Sequence, residues 1–201
     1  MCKKLGAGTY ATSNANGFLP GLAVTLPDGW VVTEQDRGEF GLMPADHPDD
    51  KVFFGVDLAA TTIDGRVAPG VPGTAAGLIA WLAENPDLTV STPSRTSIGD
   101  GIDATTVDVG VSPSSAGDPV TYSDCPASPC VGFLKDPRNW PGALAIASGE
   151  VVRLYFSTIG SGTHTLVIAL DAPTADELER LATIAQRILD SVRLPSHLVV
   201  Q

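Results

Sequence analysis

The chain has 201 residues and a mass of 20.7 kDa, enough for one domain whose folding buries roughly 70 % of the unfolded chain's surface. Twelve Lys and Arg against 23 Asp and Glu give a formal net charge of −11, which repels a phosphate backbone or an anionic bilayer and excludes nucleic-acid binding through a basic face. Only 17 % of residues are charged and 43 % are apolar, so the composition excludes a disordered chain, and no apolar run approaches the roughly 18 residues of a membrane span.

The first seventeen residues are small, polar and aperiodic, with no apolar stretch to act as a signal peptide. They read as a flexible tether over 1–17 with a reach of about 20 Å. Leu22, Val24 and Leu26 alternate up to Pro27-Asp28-Gly29, and Trp30 and Val32 alternate after it, which predicts a hairpin. A short strand follows over Phe40 to Met43. A longer one is predicted over Val52 to Thr61, with Val52, Phe54, Val56, Leu58 and Ala60 on one face. The period then changes: Ala75, Leu78, Ile79 and Leu82 form a helical stripe capped by Thr74 and stopped at Asn85-Pro86. Strand character returns at Leu88 to Thr92 and at Ile102 to Val111, with a turn at Gly99 to Gly101. Residues 112–149 read as a long irregular segment. Two strands, Glu150 to Ile159 and His164 to Ala172, then form the expected centre of the sheet. A capping box at Thr174 and Glu177 opens a helix lined by Leu178, Leu181, Ala185, Ile188 and Val192. The domain is expected over 18–195, with a tail over 196–201. Strand groups separated by helices specify an α+β fold, a mostly antiparallel sheet with two helices.

With this layout the chain resembles the PsbP-like superfamily, an α/β/α sandwich that includes an extrinsic photosystem subunit, a Ran-binding nuclear import factor and small actinobacterial exported lipoproteins. The features that carry the resemblance are the entry Gly21-Leu22-Ala23-Val24-Thr25-Leu26-Pro27-Asp28-Gly29-Trp30, the long hairpin Val151 to Leu170, and the closing Ile188-Leu189-Asp190-Ser191-Val192. It covers about Phe18 to Pro195. The resemblance implies a binding or accessory domain without catalytic machinery, and it supplies no catalytic residues.

Cys125-Pro-Ala-Ser-Pro-Cys130 spans a distance that a disulfide can close. Such a short ring constrains the unfolded chain by about 2 kcal/mol and implies an oxidising compartment. Two free thiols, or half a zinc site completed by His47 and His164, are the competing readings. The third cysteine, Cys2, reads as the lipid-bearing residue of a lipoprotein, with a stray thiol as the bland alternative. Phe133 and Trp140 in the irregular segment are candidate partner-surface residues, the alternative being a satellite core beneath the loop. Asp46-His47-Pro48-Asp49-Asp50 offers three carboxylates to a hard cation but lacks EF-hand spacing and reads more readily as a solvated loop. Ser161 and His164 sit together in a turn, without the Gly-x-Ser-x-Gly setting of a nucleophile.

The expectation is therefore an exported, lipid-anchored, non-enzymatic accessory or ligand-binding domain at the cell surface. Its partner is an unspecified protein or small molecule, and it needs no cofactor, no metal and no catalytic residue. Nucleic acid is excluded, and the membrane is met only through the Cys2 anchor. A small extracellular hydrolase and a sensor ectodomain are the alternatives.

Overall fold

The computed structural model describes residues 3–13, 18–35, 39–62, 65–115, 130–138 and 143–198. Among them the strands are β1 (Lys3–Leu5), β2 (Gly8–Ala11), β3 (Ala23–Leu26), β4 (Trp30–Gln35), β5 (Glu39–Pro44), β6 (Lys51–Val56) and β7 (Ala59–Ala60). After helix α1 (Ala75–Glu84) come β8 (Leu88–Val90), β9 (Ser94–Ile98), β10 (Ile102–Val111), β11 (Cys130–Lys135), β12 (Leu144–Ala147), β13 (Val151–Ile159) and β14 (His164–Ala172), and then helix α2 (Ala175–Asp190).

A nine-stranded sheet runs in the order β1-β4-β5-β6-β14-β13-β10-β8, with β9 also on β10, and every pairing is antiparallel. The hairpin β13–β14 lies inside it, as the continuous run at Leu166 to Leu170 predicts. Leu166, Ile168 and Leu170 enter one core and Val167 and Ala169 the other, because both faces of this sheet are covered.

On one face α2 packs with β3: Leu178, Leu181, Ala185 and Ile188 meet Leu22, Val24, Phe54 and Ile168. The Thr174 hydroxyl caps α2 by accepting from the Glu177 N–H at 3.3 Å. The opposite face carries α1, through Leu78 and Leu82, and a three-stranded sheet β12-β11-β7. Placing one helix on each face gives the α+β architecture two separate cores. Phe54 and Phe156, each fully buried, are central to one core apiece and are worth about 2–3 kcal/mol each in burial alone.

Four sequence expectations need correction. First, β1 pairs with β4 and β2 with β3, so residues 3–11 are not a tether. Strands this short and polar carry no hydrophobic period. Main-chain pairing and two anchors, Leu5 and Tyr10 against the α2-side core, hold them in place. Replacing Tyr10 by Ala is expected to lower stability by about 1–2 kcal/mol, measured by denaturant unfolding, whereas a tether residue would leave it unchanged.

Second, β3 and β4 are strands joined through Gly29 at φ +88°, but they do not pair with each other. Third, the strand predicted over 52–61 breaks at Asp57, whose φ is +55°. Val52, Phe54 and Val56 face the α2 side, whereas the break turns Leu58 and Ala60 into the α1 side. Fourth, the irregular segment contains β11 and β12, and all six residues of β11 are buried. Beyond α2, the turn Ser196–Leu198 is tied down by the Gly160 N–H, which donates to the Leu198 carbonyl at 3.0 Å.

Candidate functional site

Of the residues singled out from sequence, Cys2, Cys125 and Trp140 lie outside the described residues. Cys130 opens β11, is buried, and is disulfide-bonded. Phe133 is 0 % exposed in the α1-side core, which removes it as a partner-surface residue. Its place in a fully buried strand, paired with β7 and β12 on the α1 side, explains this. The acidic loop is no three-carboxylate site either. Asp50 turns inward, 2 % exposed, and is engaged by Arg180 of α2. Among the described residues no group of three or more His, Cys, Asp or Glu side chains is placed to hold a metal.

Two arrangements carry chemical potential. The first is the pair Asp57–His164. The positive φ at Asp57 swings its carboxylate beside the start of β14. There Oδ1 accepts the Thr165 N–H at 3.0 Å, and Oδ2 lies 2.7 Å from His164 Nδ1. A carboxylate at Nδ1 fixes the proton on that nitrogen and leaves Nε2 as the acceptor of the neutral ring. Both side chains are about two-fifths exposed. Ser161, the serine of the same turn, makes no hydrogen bond to this imidazole among the described residues. The geometry is an oriented base without a nucleophile. Sequence reading named His164 but not Asp57. The signal it missed was an acid inside an otherwise apolar strand, where an interruption is the economical explanation.

The second is an open cleft of about 330 Å³ between the C-terminal end of α1 and the β7–β11 ladder. The indole of Trp81 and the side chains of Ala68 and Val131 give it apolar walls; Glu84, Asn85 and Asp87 supply its polar rim. The turn after α1 is fixed from within: Asn85 Oδ1 accepts the Asp87 N–H at 3.0 Å and Asp87 Oδ1 accepts the Ser115 hydroxyl at 2.9 Å. Thr61, also in the lining and 1 % exposed, leaves its hydroxyl without a hydrogen-bond partner. A buried orphan hydroxyl costs about 1–3 kcal/mol and is uncommon enough to require an explanation. Trp81 is partly buried against the α1-side core. Its placement one position from Leu82 on the α1 stripe, at the helix end, is what leaves part of the ring on the cleft.

A third cluster is buried at the end of β11. Lys135 donates to the Gly65 carbonyl at 3.2 Å, and burial holds its amine below the usual lysine range. Asp136, 3 % exposed, accepts from the Arg138 backbone N–H and Nε through one oxygen only.

Fold and site together define an α+β domain with one helix on each sheet face and an acid-rimmed cleft at the end of α1. No protein-family model matches the chain, and no curated protein matches it. Among solved structures, it is similar to a protein from Bacteroides thetaiotaomicron at 12 % identity and a TM-score of 0.46, over 98 % of this chain and 54 % of that one. It is also similar to a mutant of the protein Mog1 at 8 % identity and a TM-score of 0.40, over 93 % of this chain and 88 % of that one. The chain spans about half the length of the first of these. Neither likeness is close enough to transfer a function. Among the described residues no helix is long and apolar enough to cross a membrane.

Proposed function

We propose that the chain is a non-enzymatic ligand-binding or accessory domain, a PsbP-like α/β/α sandwich that acts outside the cytoplasm. Lipid at Cys2 anchors it and a Cys125–Cys130 disulfide staples its loop. The observation that carries the binding role is the cleft beside Trp81, which combines apolar walls, a polar rim and an unsatisfied buried hydroxyl, the composition of a small-ligand site. The disulfide-bonded state of Cys130 supports the oxidising compartment. With β1 beginning at Lys3, a lipid on Cys2 leaves no long tether, so the anchor would hold one edge of the sheet close to the bilayer.

Thiol titration of the unfolded, unreduced Cys2→Ser protein, in which the anchor cysteine is removed from the count, tests the compartment: no reactive thiol is expected before reduction and two after, and two before reduction would sink the exported reading. Membrane fractionation of cells expressing the full gene, with Cys2→Ser as the comparison, tests the anchor. Loss of membrane association in the variant is expected, and an unchanged distribution counts against it.

The oriented pair Asp57–His164 favours a second reading, hydrolysis by water activated at His164 Nε2. Under the leading proposal, His164→Gln leaves the hydrolysis of a simple activated ester at the background rate of the parent. A loss of about a hundredfold, the usual contribution of a general base, would establish the hydrolase instead.

A further inference from the structure

We infer that the cleft at the end of α1 takes an organic cation, an amine or quaternary ammonium carried on a small apolar body. This rests on the ligand-binding reading of the same cleft and names its chemistry. Three observations converge on positive charge. Helix α1 ends at the cleft with no basic residue in its last turn, so the negative pole of its dipole is uncompensated there. Glu84, the last helical residue, and Asp87, three positions on, add two carboxylates to that pole. Among the described residues neither carboxylate has an ion-pair partner and no Lys, Arg or His lines the cleft.

An acid at a helix C-terminus is destabilising by itself, and two of them beside an open pole destabilise more. The protein tolerates this arrangement without supplying a cation of its own. The same cleft is lined by Trp81, whose indole is the ring that attracts cations most strongly. The overall charge of −11 adds a long-range field that enriches cations at the surface.

Thr61 lines the same cleft with its hydroxyl buried in the wall and without a partner. Thr61→Val removes that unsatisfied hydroxyl at constant shape, so it is expected to stabilise the free protein while leaving ammonium binding unchanged.

The probes are benzyltrimethylammonium, its neutral relative benzyl alcohol and its anionic relative benzoate, titrated calorimetrically into the intact protein at low salt. Saturable binding of the ammonium at least tenfold tighter than either relative is expected, weakening as salt rises. Trp81→Ala should cost about tenfold in affinity and Glu84→Gln with Asp87→Asn together about the same. Equal or tighter binding of benzyl alcohol or benzoate, abolished by Trp81→Ala, would overturn the cation and keep the ligand-binding cleft. Binding of none of the three at millimolar concentration would overturn both. Binding of the ammonium that Trp81→Ala leaves intact would place it elsewhere and overturn the site.

Discussion

Replacing Gly99 by Ala is expected to destabilise the protein by about 3 kcal/mol or more, lowering the melting temperature by roughly 10 °C. Gly99 occupies the turn between β9 and β10 at φ +52°. An L side chain there pays about 1–2 kcal/mol before any contact is counted. A Cβ built on it falls 1.9 Å from the Val192 carbonyl oxygen, a backbone atom that no rotamer change can move aside. The turn is pressed this close because the Gly99 N–H donates to the Leu189 carbonyl at 2.8 Å, joining the sheet to the exit of α2. Asp100 reinforces the junction through Arg193. Relief of the clash therefore breaks a hydrogen bond and an ion pair together, and it loosens Val192 from a core in which it is fully buried. Gly101 provides the control. Its φ is +82° but nothing lies within 4 Å of an added Cβ, so Gly101→Ala pays only the backbone term, about 1 kcal/mol. Denaturant unfolding of the two variants separates strain from collision. Equal losses would show that the approach to α2 contributes nothing.

That junction illustrates which parts of the fold the sequence discloses. The turn glycines, the α1 stripe and the α2 stripe were legible because each follows from a local rule: a positive φ, a period of 3.6 residues, a cap. Beyond the hairpin β13–β14, which strands pair was not legible. The pattern at Leu22 to Val32 is that of a hairpin, yet β3 pairs with β2 and β4 with β1 and β5. Alternation reports that a strand has a buried face and is silent about which neighbour provides it. The edge strands β1, β2 and β9 were missed for a related reason. Their stability lies in main-chain hydrogen bonds, and their exposed faces need no apolar residues. The break at Asp57 was hidden for the opposite reason. Leu58 and Ala60 continue the apolar alternation across it, although the chain has changed sheets. The cleft was invisible from sequence because Trp81, Thr61 and Val131 come from three separate segments, and only the crossing of α1 over the β7–β11 ladder brings them together.

Asp171→Asn is expected to raise stability at pH 8 by about 2–4 kcal/mol while leaving it nearly unchanged at pH 4. Asp171 lies near the end of β14, opposite Lys51 of β6 and Val152 of β13. Burial is the main influence on its carboxyl, with Glu150 and Asp50 adding like charge and Lys51 opposing them, and the result is a pKa pushed up to about 7. In the unfolded chain the same group titrates near its ordinary value of 3.8. The folded protein therefore holds this proton more tightly than the unfolded one. The associated stability is fully present below pH 3.8 and is lost as pH rises through about 7. Three pH units at 1.36 kcal/mol each set an upper bound of about 4 kcal/mol on the loss. Asn keeps the shape and cannot ionise, so it removes the penalty at high pH and has little to remove at low pH. The diagnostic quantity is the difference between the two stability curves from pH 4 to pH 8, measured by denaturant unfolding. A difference that opens with rising pH is expected. Parallel curves would mean that Asp171 is ionised throughout that range, its charge carried by Lys51. In that case the variant would be the less stable protein at every pH, having left the Lys51 ammonium without its cross-strand partner.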